Sequence, residues 1–274
     1  MGKLTRTFRH QVLKVPADWA VLICKEKLFR EAQVLLWLKC LYGDRIRITE
    51  GFNKDLGNAL GVCARTVRRA LKVLVSRNWI GQASGNDIIY PRSFETIRAI
   101  EAIPSRRAFL LRSMDLCRTK EFLISEAISI YIKRKLYVMR RRGQRIGGPQ
   151  KRVGHFKSSN LAPVALSNVT LAKFLKISNS TASVFKDIAI KAGYITRKRS
   201  FKAIELPKGY VMSKWSGAIY EQYYPEHKGR IRLYKGKLSL QVSDLIASNM
   251  VACRRGQIPM YNKGYSRDHA KIRD

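Results

Sequence analysis

The strongest constraint in this sequence is a pattern that occurs twice. Residues 55–81 read DLGNALGVCARTVRRALKVLVSRNWIG, and residues 171–196, LAKFLKISNSTASVFKDIAIKAGYIT, fall on residues 56–81 without a gap at a displacement of 115. Leu171 matches Leu56, Leu175 matches Leu60, Ile177 matches Val62, Thr181 matches Thr66, Ile188 matches Val73, Tyr194 matches Trp79 and Ile195 matches Ile80. One position departs from the pattern: Lys186 falls on apolar Leu71. Self-similarity at a fixed displacement is the mark of a duplicated structural unit.

The spacing inside each copy predicts two helices and a turn. Leu56, Leu60 and Val62 form a short apolar stripe, and Gly61 permits the left-handed backbone of a tight turn. Val67, Ala70, Leu71 and Leu74 recur at helical spacing and share one face. Arg65, Arg68, Arg69 and Lys72 occupy the opposite face. A short helix, a tight turn and a second helix with a basic outer face make a helix-turn-helix pattern. Trp79-Ile80-Gly81 then leads into two short strands about Ser84-Gly85-Asn86-Asp87, a turn that forms the tip of a wing. In the second copy the corresponding hairpin is expected within 195–206, ITRKRSFKAIEL, with Arg197, Lys198, Arg199 and Lys202 around its turn.

Charge narrows the partners. Of 274 residues, 54 are Lys or Arg and 19 are Asp or Glu, a formal net charge of +35. That excess suits a polyanion, most simply a nucleic acid. No apolar run approaches the ~18 residues that span a bilayer, and the first residues, MGKLTRTFRHQVLKV, lack the apolar core of a signal peptide, so a cytoplasmic, nucleoid-associated protein is expected. The five cysteines (Cys24, Cys40, Cys63, Cys117, Cys253) are scattered, as small buried side chains of a reducing compartment would be.

The remainder of the chain frames the two copies. Residues 1–18 read as a basic arm or short strand. A first core helix should start near Phe29, RIRIT at 45–49 should form a short strand, and Asn53 is placed to cap the next helix. A further helix is expected from Ser93, ending by Pro104. The mixed basic and apolar stretch 105–120 marks the domain boundary, and 121–137 the first helix of the second domain. Between Lys133 and Lys157 the chain carries ten basic and no acidic residues; self-repulsion should keep this arm flexible. Beyond Pro207 an aromatic cluster (Trp215, Tyr220, Tyr223, Tyr224) precedes a hairpin turning at Lys235-Gly236, a short helix over 243–253, and a disordered basic tail from Arg254. The fold class is mainly α with small β wings, α+β, divided into 1–104 (arm and first winged helix-turn-helix domain), 105–206 (basic arm and second winged domain) and 207–274 (C-terminal extension with basic tail).

Catalytic patterns are missing. The sequence has no phosphate-binding G-x-x-x-x-G-K-[ST] loop. The four histidines (His10, His155, His227, His269) are far apart, no two cysteines have zinc-finger spacing, and the sparse acidic residues nominate no two-metal nuclease site. Tyr223 and Tyr224 read as packing or stacking residues. No enzymatic activity, cofactor or metal is predicted, and no small-molecule substrate is evident.

Two winged helix-turn-helix units in tandem on a strongly basic chain resemble the replication initiators of iteron-type plasmids, over roughly 29–92 and 121–206. Winged-helix transcriptional regulators use the same module. The resemblance implies double-stranded DNA as the partner, with the second helix of each unit in the major groove. Arg65, Thr66, Arg68, Arg69 and Lys72 are then the readers of the first unit, and Asn179, Ser180, Thr181, Ser183 and Lys186 those of the second. Arg140, Arg141, Arg142, Arg145, Lys151 and Arg152 of the arm, and Arg197, Lys198, Arg199 and Lys202 of the second wing, are the phosphate contacts. A homodimer is compatible with this reading. The competing expectation is a non-specific basic protein that binds RNA or packages DNA.

Overall fold

A computed structural model of the chain describes residues 12–42, 45–83, 88–103, 107–142, 152–153, 156–157, 163–199, 201–204, 231–234, 237–242, 244–250 and 252–253. In chain order the elements are β1 (Val12–Pro16), α1 (Ala17–Glu26), α2 (Phe29–Leu41), β2 (Ile46–Arg47), α3 (Phe52–Leu60), α4 (Ala64–Ser76), β3 (Ile80–Gln82), β4 (Ile88–Pro91), α5 (Phe94–Ile100) and β5 (Ala108–Arg112). A 3-10 helix (Ser113–Arg118) leads into α6 (Thr119–Arg141), β6 (Arg152–Val153), β7 (Phe156–Lys157), β8 (Val164–Ala165), α7 (Asn168–Leu175) and α8 (Asn179–Lys191). The chain continues through β9 (Ile195–Lys198), β10 (Phe201–Ala203), β11 (Ile231–Tyr234), β12 (Lys237–Gln241), β13 (Leu245–Ser248) and β14 (Ala252–Cys253). The fold is α+β: helices predominate, and the strands form small antiparallel sheets.

The two copies fold alike. In the first, α2 is surrounded by core, with Ala32, Val34, Leu35, Leu36, Trp37, Leu38 and Cys40 all buried. Helix α4 buries only the stripe Val67, Ala70, Leu71 and Leu74, the i, i+3, i+4, i+7 spacing of one helix face. Between α3 and α4 the chain turns through Gly61 at φ +65°, and the Val62 amide donates to the Gly57 carbonyl at 2.9 Å. In the second copy Lys176 takes the same left-handed conformation at φ +54°, and Ile177 donates to Ala172 at 3.0 Å. A second left-handed residue ends each second helix, Asn78 at +57° and Gly193 at +79°.

The sheets repeat the same way. In the first unit β4 lies between β2 and β3, with Ile80 opposite Pro91 and Gln82 opposite Ile89. In the second, β13 lies between β8 and β9, with Ile195 opposite Ser248 and Arg197 opposite Ile246. The Arg92 amide donates to Trp79 O at 2.9 Å, and the Asn249 amide to Tyr194 O at 2.9 Å. The aromatic at this position is also tied down alike: Trp79 Nε1 donates to Glu101 Oε1 at 2.7 Å, and Tyr194 Oη to Asp115 Oδ1 at 2.8 Å.

The third strand of the second sheet corrects the expected hairpin at 195–206. β9 does not pair with β10; it pairs with β13, and β10 pairs with β12, which pairs with β11 in turn. A strand in this central position must bury alternate side chains. Ile246 and Ser248 do so, with 0% and 1% exposure. Leu245–Ser248 and Ala252–Cys253 are therefore strands, where the sequence pattern predicts a helix over 243–253. The hairpin of β11 and β12 flanks Lys235-Gly236, which lies outside the described residues.

Nor is 105–120 a plain boundary. Phe109 and Leu111 are fully buried in β5, the middle strand of a sheet ordered β1, β5, β14 that joins the two ends of the described chain. Part of the expected C-terminal extension thus completes two sheets. Helix α6 packs on α1 and α2, where Cys24 Sγ meets Leu123 O at 3.8 Å; the rings Phe29 and Phe185 make an edge-on contact between the two units at 5.8 Å, and Phe122 and Tyr194 one within the second at 5.9 Å. The buried side chains form two clusters, and the partly buried Val21, Phe29 and Phe174 pack against both.

Smaller differences follow from local chemistry. Gly51, not Asn53, is the residue before α3; Asn53 lies inside its first turn. Ser93 caps α5, accepting from the Thr96 amide at 3.1 Å, and the helix ends at Ile100, before Ala102 turns left-handed at φ +49°. The first part of the arm is ordered: α6 runs to Arg141, and Arg152 faces Lys157 across β6 and β7. Residues 1–11, the wing tip Ser84-Gly85-Asn86-Asp87, the aromatics Trp215, Tyr220, Tyr223 and Tyr224, and the tail from Arg254 lie outside the described residues.

Candidate nucleic-acid interface

The outer face of α4 carries the densest free positive charge in the first unit. Burying Val67, Ala70, Leu71 and Leu74 leaves Arg65, Arg68, Arg69 and Lys72 exposed, with Thr66 half-buried. Among the described residues none of these four cations forms a salt bridge, while Arg77 is bound to Glu26 and Glu101, Arg98 to Glu95, and Arg134 to Asp18. Three arginines in the first half of a helix oppose its dipole, which favours anions there by about 0.3–1 kcal/mol per charge. No acidic residue in the first turn offsets them. This placement gains nothing for folding and suits an external anion.

A groove of about 340 Å³ runs beside this face, lined by Arg68, Leu71, Lys72 and Val75 of α4, Asn53 of α3 and Gln82 and Ile89 of the sheet. Asn53 Oδ1 is buried in it without a hydrogen-bond partner. Asn53 and Gln82 are functional candidates that sequence patterns do not reveal, and Asn53 reads from the sequence as a helix cap. Their only signal is a polar residue beside the apolar periodicity. At the head of α4, hydrogen bonding to the Thr66 side chain and backbone holds the exposed Cys63 thiol below its ordinary pKa, and Cys63 Sγ lies 3.2 Å from Thr66 Oγ1.

The second unit presents a different face. Ser178 caps α8, accepting from the Thr181 amide at 3.2 Å, with the Ser180 and Thr181 hydroxyls 2.9 and 2.8 Å from its Oγ. Asn179 and Ser180 are exposed, and Thr181 and Ser183 half-buried. Lys186 is not on this face. It is 5% exposed, donates to Leu166 O at 3.0 Å and lies 3.7 Å from Asp244 Oδ2, and burial lowers its pKa from the ordinary 10.5. It keeps the inward facing of Leu71, which removes it from the candidate readers. Arg197 is likewise engaged, 3.3 Å from Asp187 Oδ1 and 3.9 Å from Asp244 Oδ2. Lys198, Arg199 and Lys202 are exposed.

Of the arm, Arg140 and Arg141 end α6, Arg142 follows it and is exposed, and Arg152 lies in β6; Arg145 and Lys151 fall outside the described residues. Among the described residues no group of His, Cys, Asp and Glu could hold a metal, and no helix is long and apolar enough to cross a membrane. No family model, curated protein or solved structure matches the chain.

Proposed function

We propose that the protein binds double-stranded DNA sequence-specifically through two winged helix-turn-helix units in tandem, as a replication initiator or transcriptional regulator of a plasmid, phage or other mobile element, and that it is not an enzyme. The observation that carries the reading is the outer face of α4: Arg65, Arg68, Arg69 and Lys72, exposed and unpaired among the described residues on the second helix of a turn-linked pair. A helix enters the major groove, and its amino-terminal half lies nearest the base edges. An arginine fork matches guanine O6 and N7 with two hydrogen bonds. The repeated topology supports a second docking helix, α8, on the same duplex. The arm and the net charge of +35 supply phosphate attraction. The assignment to a mobile element follows from the resemblance to plasmid initiators, and a cytoplasmic, nucleoid-associated location follows from the DNA reading.

The test compares a duplex selected from a random library with random DNA and random RNA at one salt concentration. Arg68→Ala and Arg69→Ala should change stability by under about 0.5 kcal/mol, because both side chains are exposed. At least one should lose about 1–3 kcal/mol on the selected duplex and less on random DNA. A footprint on the selected site should span about two helical turns, with successive major grooves ~34 Å apart. Equal losses on both DNAs, with no enriched site, would instead assign the non-specific role in RNA binding or DNA packaging.

A further inference from the structure

The repeat allows the two candidate reading faces to be compared position by position. Helices α4 and α8 have equal length, follow the same left-handed turn and lead into sheets of the same register. Matching positions therefore face the same way, as buried Lys186 shows by standing where Leu71 stands. On the outer face Ser180 replaces Arg65, Ser183 replaces Arg68, Val184 replaces Arg69 and Asp187 replaces Lys72. Arg197 pairs with Asp187 at 3.3 Å, so the charge at that end of the face is already offset.

Val184 is the informative residue. It is 55% exposed on α8. A β-branched residue is a mediocre helix former, and an exposed one gains little from burial; what singles it out is its position, that of Arg69 on the outer face of α4. A protein partner is a poor fit, because docking surfaces are contiguous apolar patches of several hundred Å², and Val184 stands beside Ser180, Ser183 and Asp187. In the major groove the one apolar group on a base edge is the 5-methyl of thymine.

We infer that the two units divide the readout by chemistry: α4 reads guanine edges through arginine, and α8 reads a thymine methyl through Val184, so the bound sequence is guanine-bearing in one half and thymine-bearing in the other. The inference rests on the duplex-binding reading above.

Replacing thymines of the selected duplex one at a time by deoxyuridine removes only the methyl group. The full-length protein should lose about fourfold in affinity at one or two thymines confined to one half of the footprint, the effect of one buried methyl-sized group. Val184→Ala should bind the thymine duplex more weakly by a similar factor and respond less to deoxyuridine at that position, with a melting temperature no lower than the parent's, since alanine is the better helix former. Arg69→Ala should keep the deoxyuridine response. The inference is overturned if no thymine responds, or if Val184→Ala retains the wild-type response; a change of oligomeric state in Val184→Ala with that response intact would assign the face to a second copy of the chain. These outcomes leave duplex binding standing, whereas failure to enrich any duplex over random DNA overturns both readings.

Discussion

Lys186 and Asp244 form an ion pair at 3.7 Å between α8 and the residue that precedes β13. The same lysine donates to Leu166 O at 3.0 Å, and the Leu166 amide donates to Asp244 O at 3.0 Å. One side chain thus joins the second helix of the repeat to both strands that complete its sheet. The first unit has Leu71 at this position and draws its third strand from the adjacent hairpin. In the second unit that strand arrives from far along the chain, and a buried polar contact specifies where it docks.

Lys186→Met should therefore destabilise the protein by about 1–3 kcal/mol, the cost of leaving the Leu166 carbonyl without its donor, while Asp244 keeps Arg197 at 3.9 Å. Replacing Lys186 and Asp244 together by leucine should recover most of that stability, since a well-packed apolar pair can substitute for a buried ionic one. Urea denaturation of the two variants checks this. A single variant as stable as the parent would mean that Lys186 reaches solvent.

Glu126 controls a pH dependence of folding. It is fully buried in α6 with neither carboxylate oxygen in a hydrogen bond of good geometry, and burial raises its pKa well above the ordinary 4.5, outweighing the lowering effect of the Phe109 backbone; Asp18 adds a smaller push upward and Lys133 a still smaller one downward. The folded protein then keeps a proton that the unfolded chain releases. Its contribution is most favourable below pH 4.5 and falls as pH rises toward the folded-state value, by up to about 1.4 kcal/mol per pH unit. Glu126→Gln should be more stable than the parent at neutral pH, with the difference vanishing below pH 4.5. Melting temperatures of both proteins across pH measure that difference; a constant offset would contradict the burial of this carboxyl.

The two turns offer a paired test of backbone strain. Gly61 and Lys176 hold matching left-handed conformations at φ +65° and +54°. Open space surrounds the position of a Cβ at Gly61, so a side chain there costs torsion alone. Gly61→Ala should destabilise by about 1 kcal/mol and Lys176→Gly should stabilise by a comparable amount. Chemical denaturation reads both, and a stabilising Gly61→Ala would refute the turn geometry.

The arm should act on phosphates without reading bases. Replacing Arg140, Arg141 and Arg142 by alanine should weaken binding to all duplexes about equally. It should also reduce the slope of log affinity against log salt by roughly 0.9 for each phosphate that is no longer neutralised. A salt titration on selected and random DNA provides the measurement, and an unchanged slope would show that these arginines do not meet DNA.

The sequence by itself determined the local elements. Helices α4 and α8 follow from apolar spacing, their shared turn from Gly61 and the matching register of the copies, and the exposed cations of α4 from the positions left over once its core stripe is assigned. These are properties of neighbours within a turn or two, where side-chain periodicity and backbone torsion act. Tertiary structure decided the rest. Which strand closes the second sheet is decided by a long-range pairing, of Leu245–Ser248 with β9, while Phe201–Ala203 pairs with β12. Sequence reading places Lys186 among the outward readers; its inward facing is decided by the fold, because Leu166 O and Asp244 come together only after the chain has folded. Arg197 likewise reads as a phosphate contact until two carboxylates are brought against it, one of them distant in sequence. A charged residue's role depends on which opposite charges the fold places beside it, and local sequence does not carry that information.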